Sequence, residues 1–489
     1  MLQVLGAFCV KLSHKYIPNP LIFAIILSAI IFVLGIGVTG AGPFEMIQYW
    51  YSGFWNLLSF GMQMVALLLF GYVLASSPPV RAVVAWAARF PRSSGQAIML
   101  IASLAMLFAY VNWGLGLIVG AIAAREVSKQ AKRRGIRVHY PLAAAAGFCG
   151  LMIFAGGFSA SAPLLMNSPG NFMYDDYGLI PVSDTILSSY NLVIVAVWMI
   201  VIPFVYRAMQ PSADDIIEID DEPEVTGAPA ATQPSGEPRH DETGFYRSAN
   251  PHADSAVEFA PDGTMALSQS TVGAVERYTV AEHLERSTTL TWMIVASGLC
   301  YIAYHFVARG FDLNLNIVNF ILLIAGMAAY RTPIRYVEAV DEGIGACGQI
   351  VLQFPFYAGI MGMMTGSGMI SMFAGWLVTV SSAYTFPLLA MLSAALVNLF
   401  VPSAGGQWVI QGPLLLESAA KLGVDNSVVV MAFTYGDQIT NGIQPFWMLP
   451  LLGVTFLKAR EILGYTAVVM LISFVIFGVG ITVLPPIMG

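Results

Sequence analysis

Four short polar stretches interrupt long apolar runs: VNWGLG at 111–116, FAGGFSAS at 154–161, VPSAGGQW at 401–408 and TNGIQP at 440–445. Their glycines let the backbone leave a helix and let a ligand come close. Each break ends one half-helix and begins another. The freed carbonyls of the first half suit a cation such as Na⁺. The freed N–H groups of the second half, at the positive end of its dipole, suit an anion. Asn112, Ser159, Ser161, Ser403, Gln407, Thr440, Asn441 and Gln444 add side-chain hydrogen-bonding groups. Gly114, Gly157, Gly405 and Gly406 supply close approach, and Trp113, Phe158, Trp408, Phe446 and Trp447 flank the breaks as candidate walls for a short alkyl chain. Gln353 puts an amide beside Pro355 within another apolar run, a candidate kink near the site. Such a constellation could hold a small carboxylate without any buried cationic side chain. Asp437, just before TNGIQP, is the deepest acid. An acid at membrane depth is a functional candidate by default. The coupling-ion candidates are Asp437, Asn112, Ser403 and Asn441, with H⁺ or Na⁺ as the ion. In any one break, small residues are equally well explained as close helix packing.

The elements that must position these residues are membrane spans. Of the 489 residues, 57% are hydrophobic and 10% charged, and mean hydropathy is +0.72. This excludes a soluble enzyme, a disordered hub and a basic nucleic-acid binder. Nine segments are long and apolar enough to span, near 21–40, 54–76, 140–165, 187–207, 289–308, 314–330, 343–372, 427–457 and 462–486. Two more, 97–130 and 385–420, break in the middle into arms of roughly 12–17 residues and read as re-entrant hairpins. With the N-terminus inside, 20 of the 22 Lys and Arg residues fall on the cytoplasmic side, and the predicted outer loops 41–53, 166–186 and 373–384 hold none. The C-terminus is then periplasmic.

Residues 208–288 are polar and carry 16 acidic and 4 basic residues. They read as an acidic, disordered cytoplasmic linker between two membrane halves. The net charge of −7 belongs to this segment, since the rest of the chain has 18 basic and 13 acidic residues. The halves, 1–207 and 309–489, share an order of span, span, hairpin, broken span, span, with 289–308 as a connecting span. Gln63 and Gln353, Asn112 and Asn398, and Gly157 and Gly442 are corresponding landmarks. The charge pattern makes the second half inverted relative to the first, the build of a secondary transporter with a midplane site. The cysteines and histidines show no ligand spacing, so no metal other than Na⁺ and no cofactor is expected.

FWNLLSFGMQM (54–64), VNWGLGLIVGA (111–121), FAGGFSASAPLL (154–165), LIPVSDT (179–185), QFPFYAGI (353–360), VPSAGGQWVIQGP (401–413) and YGDQ (435–438) resemble the bacterial short-chain fatty acid transporter family. The resemblance covers nearly the whole chain outside the linker. It implies inner-membrane uptake of monocarboxylates such as butyrate or acetoacetate. It also implies a place in a wider superfamily of inverted-repeat ion transporters, where Ser, Asn and Thr motifs at hairpin tips bind substrate and Na⁺ and a homodimer is the expected assembly. On that pattern Ser403 with Thr440 and Asn441 form one side of the site, and Asn112 with Ser159 and Ser161 the other.

The expected fold is therefore an all-α polytopic membrane protein of two inverted repeats, each with a re-entrant hairpin and a broken helix. The expected function is secondary transport of short-chain monocarboxylates by H⁺ or Na⁺ symport, with the lipid bilayer as surroundings and no nucleic-acid partner. A dicarboxylate carrier would need a second anion site, and no spare buried Arg or Lys supplies one. A passive channel would need a continuous pore. An intramembrane enzyme would need a base beside Ser403 or Ser161, and no His or Lys stands near either in sequence.

Overall fold

The computed structural model describes residues 20–220, 279–399, 401 and 403–488. The expectations placed on 1–19, on the middle of the linker (221–278) and on Pro402 lie outside the described residues, as does the side chain of Phe446. Among the described residues the chain is helical and has no strand. The first half consists of α1 (Pro20–Leu34, extended by a π turn to Thr39), α2 (Pro43–Phe54), α3 (Leu58–Ser76), α4 (Pro78–Ala87), α5 (Ser94–Val111), α6 (Trp113–Arg133), α7 (Tyr140–Phe148), α8 (Ser161–Met166) and α9 (Ser189–Ala208). After the connecting helix α10 (Thr288–Arg309) come α11 (Leu315–Tyr330), α12 (Pro333–Gly343), α13 (Gly348–Gly366), α14 (Met369–Val380), α15 (Phe386–Asn398), α16 (Ala404–Leu422), α17 (Asn426–Ile439), α18 (Pro445–Thr455) and α19 (Ala459–Val483). The order of α1–α9 recurs in α11–α19. Among the described residues six helical segments are long and apolar enough to cross a membrane, or seven when a bent pair is counted as one.

Two stretches expected as outer loops are helical. Within 41–53 lies α2, begun by Pro43 and by the Glu45 carboxylate, which accepts the Gly42 N–H at 2.9 Å. Within 373–384 lies most of α14, which leaves α13 at a 77° bend. Gly368 makes that bend, with φ +77°. The hairpin arms α5 and α6 have 18 and 21 residues, longer than the sequence suggests. The breaks turn both central helices into short pieces. Between α7 and α8 run two 3₁₀ turns, Cys149–Met152 and Phe154–Gly156. Between α17 and α18 runs one, Thr440–Ile443, stopped by Pro445.

The halves exchange their opening helices. α1 and α2 pack on α13, and α11 and α12 pack on α3. The first contact is close enough that a Cβ on Gly53 would lie 2.6 Å from the Ala358 carbonyl oxygen, the small-residue approach that brings membrane helices together. The first half also holds the end of α18. The Arg125 guanidinium donates to the Val454 carbonyl at 3.0 Å, and Tyr140 OH donates to the Thr455 carbonyl at 3.1 Å.

The two described ends of the linker, 208–220 and 279–288, have defined local structure. Ile219 is buried, and Lys132 Nζ donates to its carbonyl at 2.8 Å. The Ile217 carbonyl accepts the Tyr140 N–H at 2.8 Å, a group at the start of α7 with no intrahelical acceptor. Arg137 pairs with Glu218 at 2.8 Å. Near the other end, Thr279 and Glu282 form a capping box on Val280–Glu285. The polar composition of this end is interrupted by Ile219, which is buried, and Ile216, which is half-buried, while Ile217 docks through its backbone alone.

His139 makes that docking pH-dependent. Its Nδ1 accepts the Ile217 N–H at 3.1 Å, so this nitrogen is unprotonated, and Nε2 meets Tyr465 OH at 3.1 Å. Burial lowers the His139 pKa below its ordinary 6.5, opposed by the Asp215 charge. The docked form therefore binds fewer protons than the undocked one. Docking is fully favoured above pH 6.5 and weakens as pH falls through the window below it. Hydrogen exchange at the Ile217 amide, corrected for the intrinsic pH dependence, will show less protection at pH 5.5 than at pH 7.5, and His139→Gln will flatten that difference.

Candidate functional site

The breaks of the two halves meet in the interior. The Ala155 N–H donates to Gln438 Oε1 at 2.9 Å, and Asn441 Nδ2 donates to the Leu151 carbonyl at 3.2 Å. Beside these contacts lies a cavity of about 50 Å³. Its polar wall is Ser161 at the start of α8, Ser403, Ala404 and Gly405 at the start of α16, and Asp437 and Asn441 around the end of α17. Its apolar wall is Met64, Trp113, Leu151, Phe154, Ile350, Phe354 and Trp447. Among the described residues no Lys or Arg lines it.

The hairpin tips differ. In the first half, Asn112 both closes α5 and caps α6. Its Oδ1 accepts the Leu115 N–H at 2.9 Å and its Nδ2 donates to the Leu67 carbonyl at 3.1 Å. Ser159 Oγ accepts the Trp113 N–H at 2.9 Å, and the Phe158 N–H donates to the Tyr110 carbonyl at 2.7 Å. A Cβ on Gly157 would stand 2.2 Å from that same carbonyl oxygen. This tip is hydrogen-bonded and tight.

In the second half the two duties are split. Asn398 ends α15, and Ser403 caps α16 by accepting the Gly406 N–H at 3.3 Å. Freed from capping, the Asn398 amide holds the neighbouring break: Nδ2 lies 2.6 Å from the Asp437 carbonyl, 2.8 Å from Thr440 Oγ1 and 3.0 Å from Asn441 Oδ1. Gln444 Nε2 donates back to the Asn398 carbonyl at 2.7 Å. Three buried acceptors here have no partner among the described residues: Asn398 Oδ1, Gln407 Oε1 and Asp437 Oδ1. Asp437 is 2% exposed, so its carboxyl is a buried ionisable group facing the cavity with neither a hydrogen bond nor a cation on Oδ1.

Of the residues singled out from sequence, the cavity brings together Trp113, Ser161, Ser403, Gly405, Asp437, Asn441 and Trp447. Asn112, Gly114, Gly157, Ser159, Gln353, Gly406, Gln407, Thr440 and Gln444 stand around it but do not line it. Gln353 Oε1 accepts Tyr357 OH at 2.9 Å, and Gln407 Nε2 donates to the Ala394 carbonyl and to Gln411 Oε1. Thr440 Oγ1 donates to the Ala395 carbonyl at 3.2 Å. Trp408 is a core residue packed on Phe433 with ring centroids 4.8 Å apart. Leu151 and Ile350 were missed, and Met64, Phe154, Phe354 and Ala404 were quoted only within longer stretches, without a role of their own. Apolar residues in apolar helices carry no local signal of which face meets a cavity. The sequence shows Asn398 only as a landmark of the repeat, although an amide at the end of an apolar arm has to find partners.

The comparisons with known proteins agree in kind. The family model described as Short chain fatty acid transporter matches residues 1–241 and 253–484. A protein of Escherichia coli (strain K12), provisionally named a short-chain fatty acid transporter, is 36% identical over 482 residues, covering 99% of this chain and 100% of its own. A second so named, from Haemophilus influenzae, is 34% identical over 488 residues, covering 98% of this chain and 99% of its own. The crystal structure of the YdaH transporter of Alcanivorax borkumensis shares the fold, with a TM-score of 0.54 and 18% identity over 96% of this chain and 97% of that one.

Proposed function

This chain belongs to the short-chain fatty acid transporter family, and on that premise we propose that it carries short-chain monocarboxylates across the bacterial inner membrane together with a proton. The observation that carries the coupling is that Asp437 and the start of α16 share one cavity. The N–H groups of Ala404 and Gly405 begin that helix and have no intrahelical acceptor, which suits a carboxylate. The Ser403 hydroxyl, whose oxygen already accepts the Gly406 N–H, keeps its own hydrogen to donate. With no cationic side chain in the wall, an ionised Asp437 would repel the substrate carboxylate, whereas a protonated one donates a hydrogen bond to it. Substrate then binds well only with a proton on Asp437, and the two leave together.

The unpartnered oxygens of Asn398, Gln407 and Asp437 favour a second reading, in which Na⁺ takes the place of the proton. The charge asymmetry of the sequence supports a cytoplasmic N-terminus and a periplasmic C-terminus. Alternating access would move the hairpins against the exchanged opening helices.

Uptake of labelled butyrate into proteoliposomes under separate pH and Na⁺ gradients tests the reading, with protein-free vesicles subtracted because the undissociated acid crosses lipid unaided. Uptake that never exceeds those vesicles would sink the substrate assignment. Accumulation that follows the Na⁺ gradient alone would replace the proton with Na⁺. Ser403→Ala will weaken half-saturation by about 10-fold, the size expected on losing a hydrogen bond to a charged group, and Asn441→Ala will weaken it by freeing the break that its amide ties to Asn398 and Leu151. Normal kinetics in both, at normal expression, would remove the α16 start as the carboxylate site.

A further inference from the structure

The cavity is small for its task, and one corner of it is filled to contact. Roughly 10–15 Å³ of such space is the least that admits one water, so about 50 Å³ is room for a small molecule only. Gly405 in the first turn of α16 marks the tight corner. A Cβ there would stand 3.0 Å from Phe60 Cζ, 3.3 Å from Met64 Sδ and 3.4 Å from Phe354 Cζ. Phe354 is itself fixed: its ring meets Phe60 edge-on at 5.6 Å and Tyr357 at 6.2 Å between centroids, and Tyr357 OH is tied to Gln353 Oε1. Phe354 and Met64 come from α13 and α3, the two helices on which the exchanged opening helices pack. The corner is thus built into the scaffold of both halves.

We infer that Met64 and Phe354, standing over Gly405, gauge the length of the substrate's alkyl chain and limit it to about four carbons. This rests on the monocarboxylate reading above. A carboxylate held at the start of α16 puts its first carbons against this corner, and each methylene beyond the available space must displace a ring that two other rings hold in place. One methylene too many or too few in an apolar pocket changes transport roughly 10–200-fold. The polar wall, by contrast, reads only the carboxylate and is indifferent to the alkyl chain attached to it.

The test is a chain-length series of labelled acetate, butyrate and hexanoate in proteoliposomes, with protein-free vesicles subtracted. The native protein is expected to carry hexanoate at least 10-fold less efficiently than butyrate. Gly405→Ala will lower the butyrate-to-acetate ratio at least 10-fold, because the added methyl pushes Met64 and Phe354 into the space left for the alkyl chain. Phe354→Leu and, separately, Met64→Ala will raise the hexanoate-to-butyrate ratio at least 10-fold by opening it. Two enlarging variants are used because either one alone could fail to fold. Protein that carries acetate above background in all three variants, with both ratios within twofold of the native values, overturns the gauge and leaves the transport reading intact. Native protein that carries none of the acids above background overturns the transport reading itself, and the gauge with it.

Discussion

Asp437→Asn will abolish pH-driven accumulation of butyrate while sparing exchange. The amide resembles the protonated carboxyl in shape and can still donate to a substrate carboxylate, but it can neither take up nor release a proton. One proton moved per substrate gives about tenfold accumulation for each pH unit of gradient. A two-unit gradient will therefore concentrate butyrate roughly 100-fold with the native protein and leave it near unity, above the protein-free background, with the variant. Labelled butyrate will still exchange against unlabelled butyrate at equal pH on both sides, since exchange needs no net proton movement. Loss of both activities would make Asp437 a structural acid. Retention of gradient-driven accumulation would place the coupling elsewhere. The expectation rests on position: Asp437 faces the cavity, buried, with no partner on Oδ1 among the described residues. A buried carboxylate left unpaired is costly enough that the group must exchange its charge or recruit a cation.

Gly120→Val will cost at least about 3 kcal/mol of stability, at the upper end of overpacking penalties, because nothing near it can move aside. A Cβ at Gly120 would lie 1.9 Å from the Gly147 carbonyl oxygen, and one at Gly147 would lie 2.4 Å from the Gly120 carbonyl oxygen. The backbones of α6 and α7 are in direct contact there, and α7 leads into the first broken segment. Driving them apart misplaces Leu151 and Phe154 in the cavity wall. The variant is expected to lose its monodisperse peak in detergent or melt well below the native protein. Gly37→Ala is the control, because a Cβ there meets nothing within 4 Å. Equal melting of both variants would show that the α6–α7 contact is not rigid.

Much of the scaffold was legible because membrane crossing imposes length and polarity on a segment. The four breaks and Asp437 stood out for the same reason: polar groups are conspicuous in an apolar run. The repeat was legible too. The Gly150–Ala105 and Gly436–Met391 close approaches lie 286 residues apart in both members, the same spacing as Asn112 and Asn398. What stayed hidden depends on direction in space. Which polar groups of a break turn toward a cavity is decided by packing, so Asn112 and Ser159, which do not line it, could not be told by sequence from Ser403 and Asn441, which do. α2 and α14, at 12 residues each, were too short to read as spans, which left 41–53 and 373–384 to read as loops. The exchange of α1 and α2 for α11 and α12 leaves no trace in periodicity, because each helix shows the same apolar face to either partner.

The unequal tips have a consequence for kinetics. In one half Asn112 closes one helix and caps the next, and in the other Asn398 and Ser403 share that task five residues apart. A carrier made of two like halves would, if they were chemically equal, load from either face by the same reaction run in mirror image. On the proposed inverted topology one face approaches the site past a bonded, tight tip and the other past a tip with spare acceptors. Loading from inside and loading from outside are then different reactions with different rates, although the equilibrium they reach is the same. Sidedness of this kind belongs to the protein and would persist in a membrane with no gradient across it.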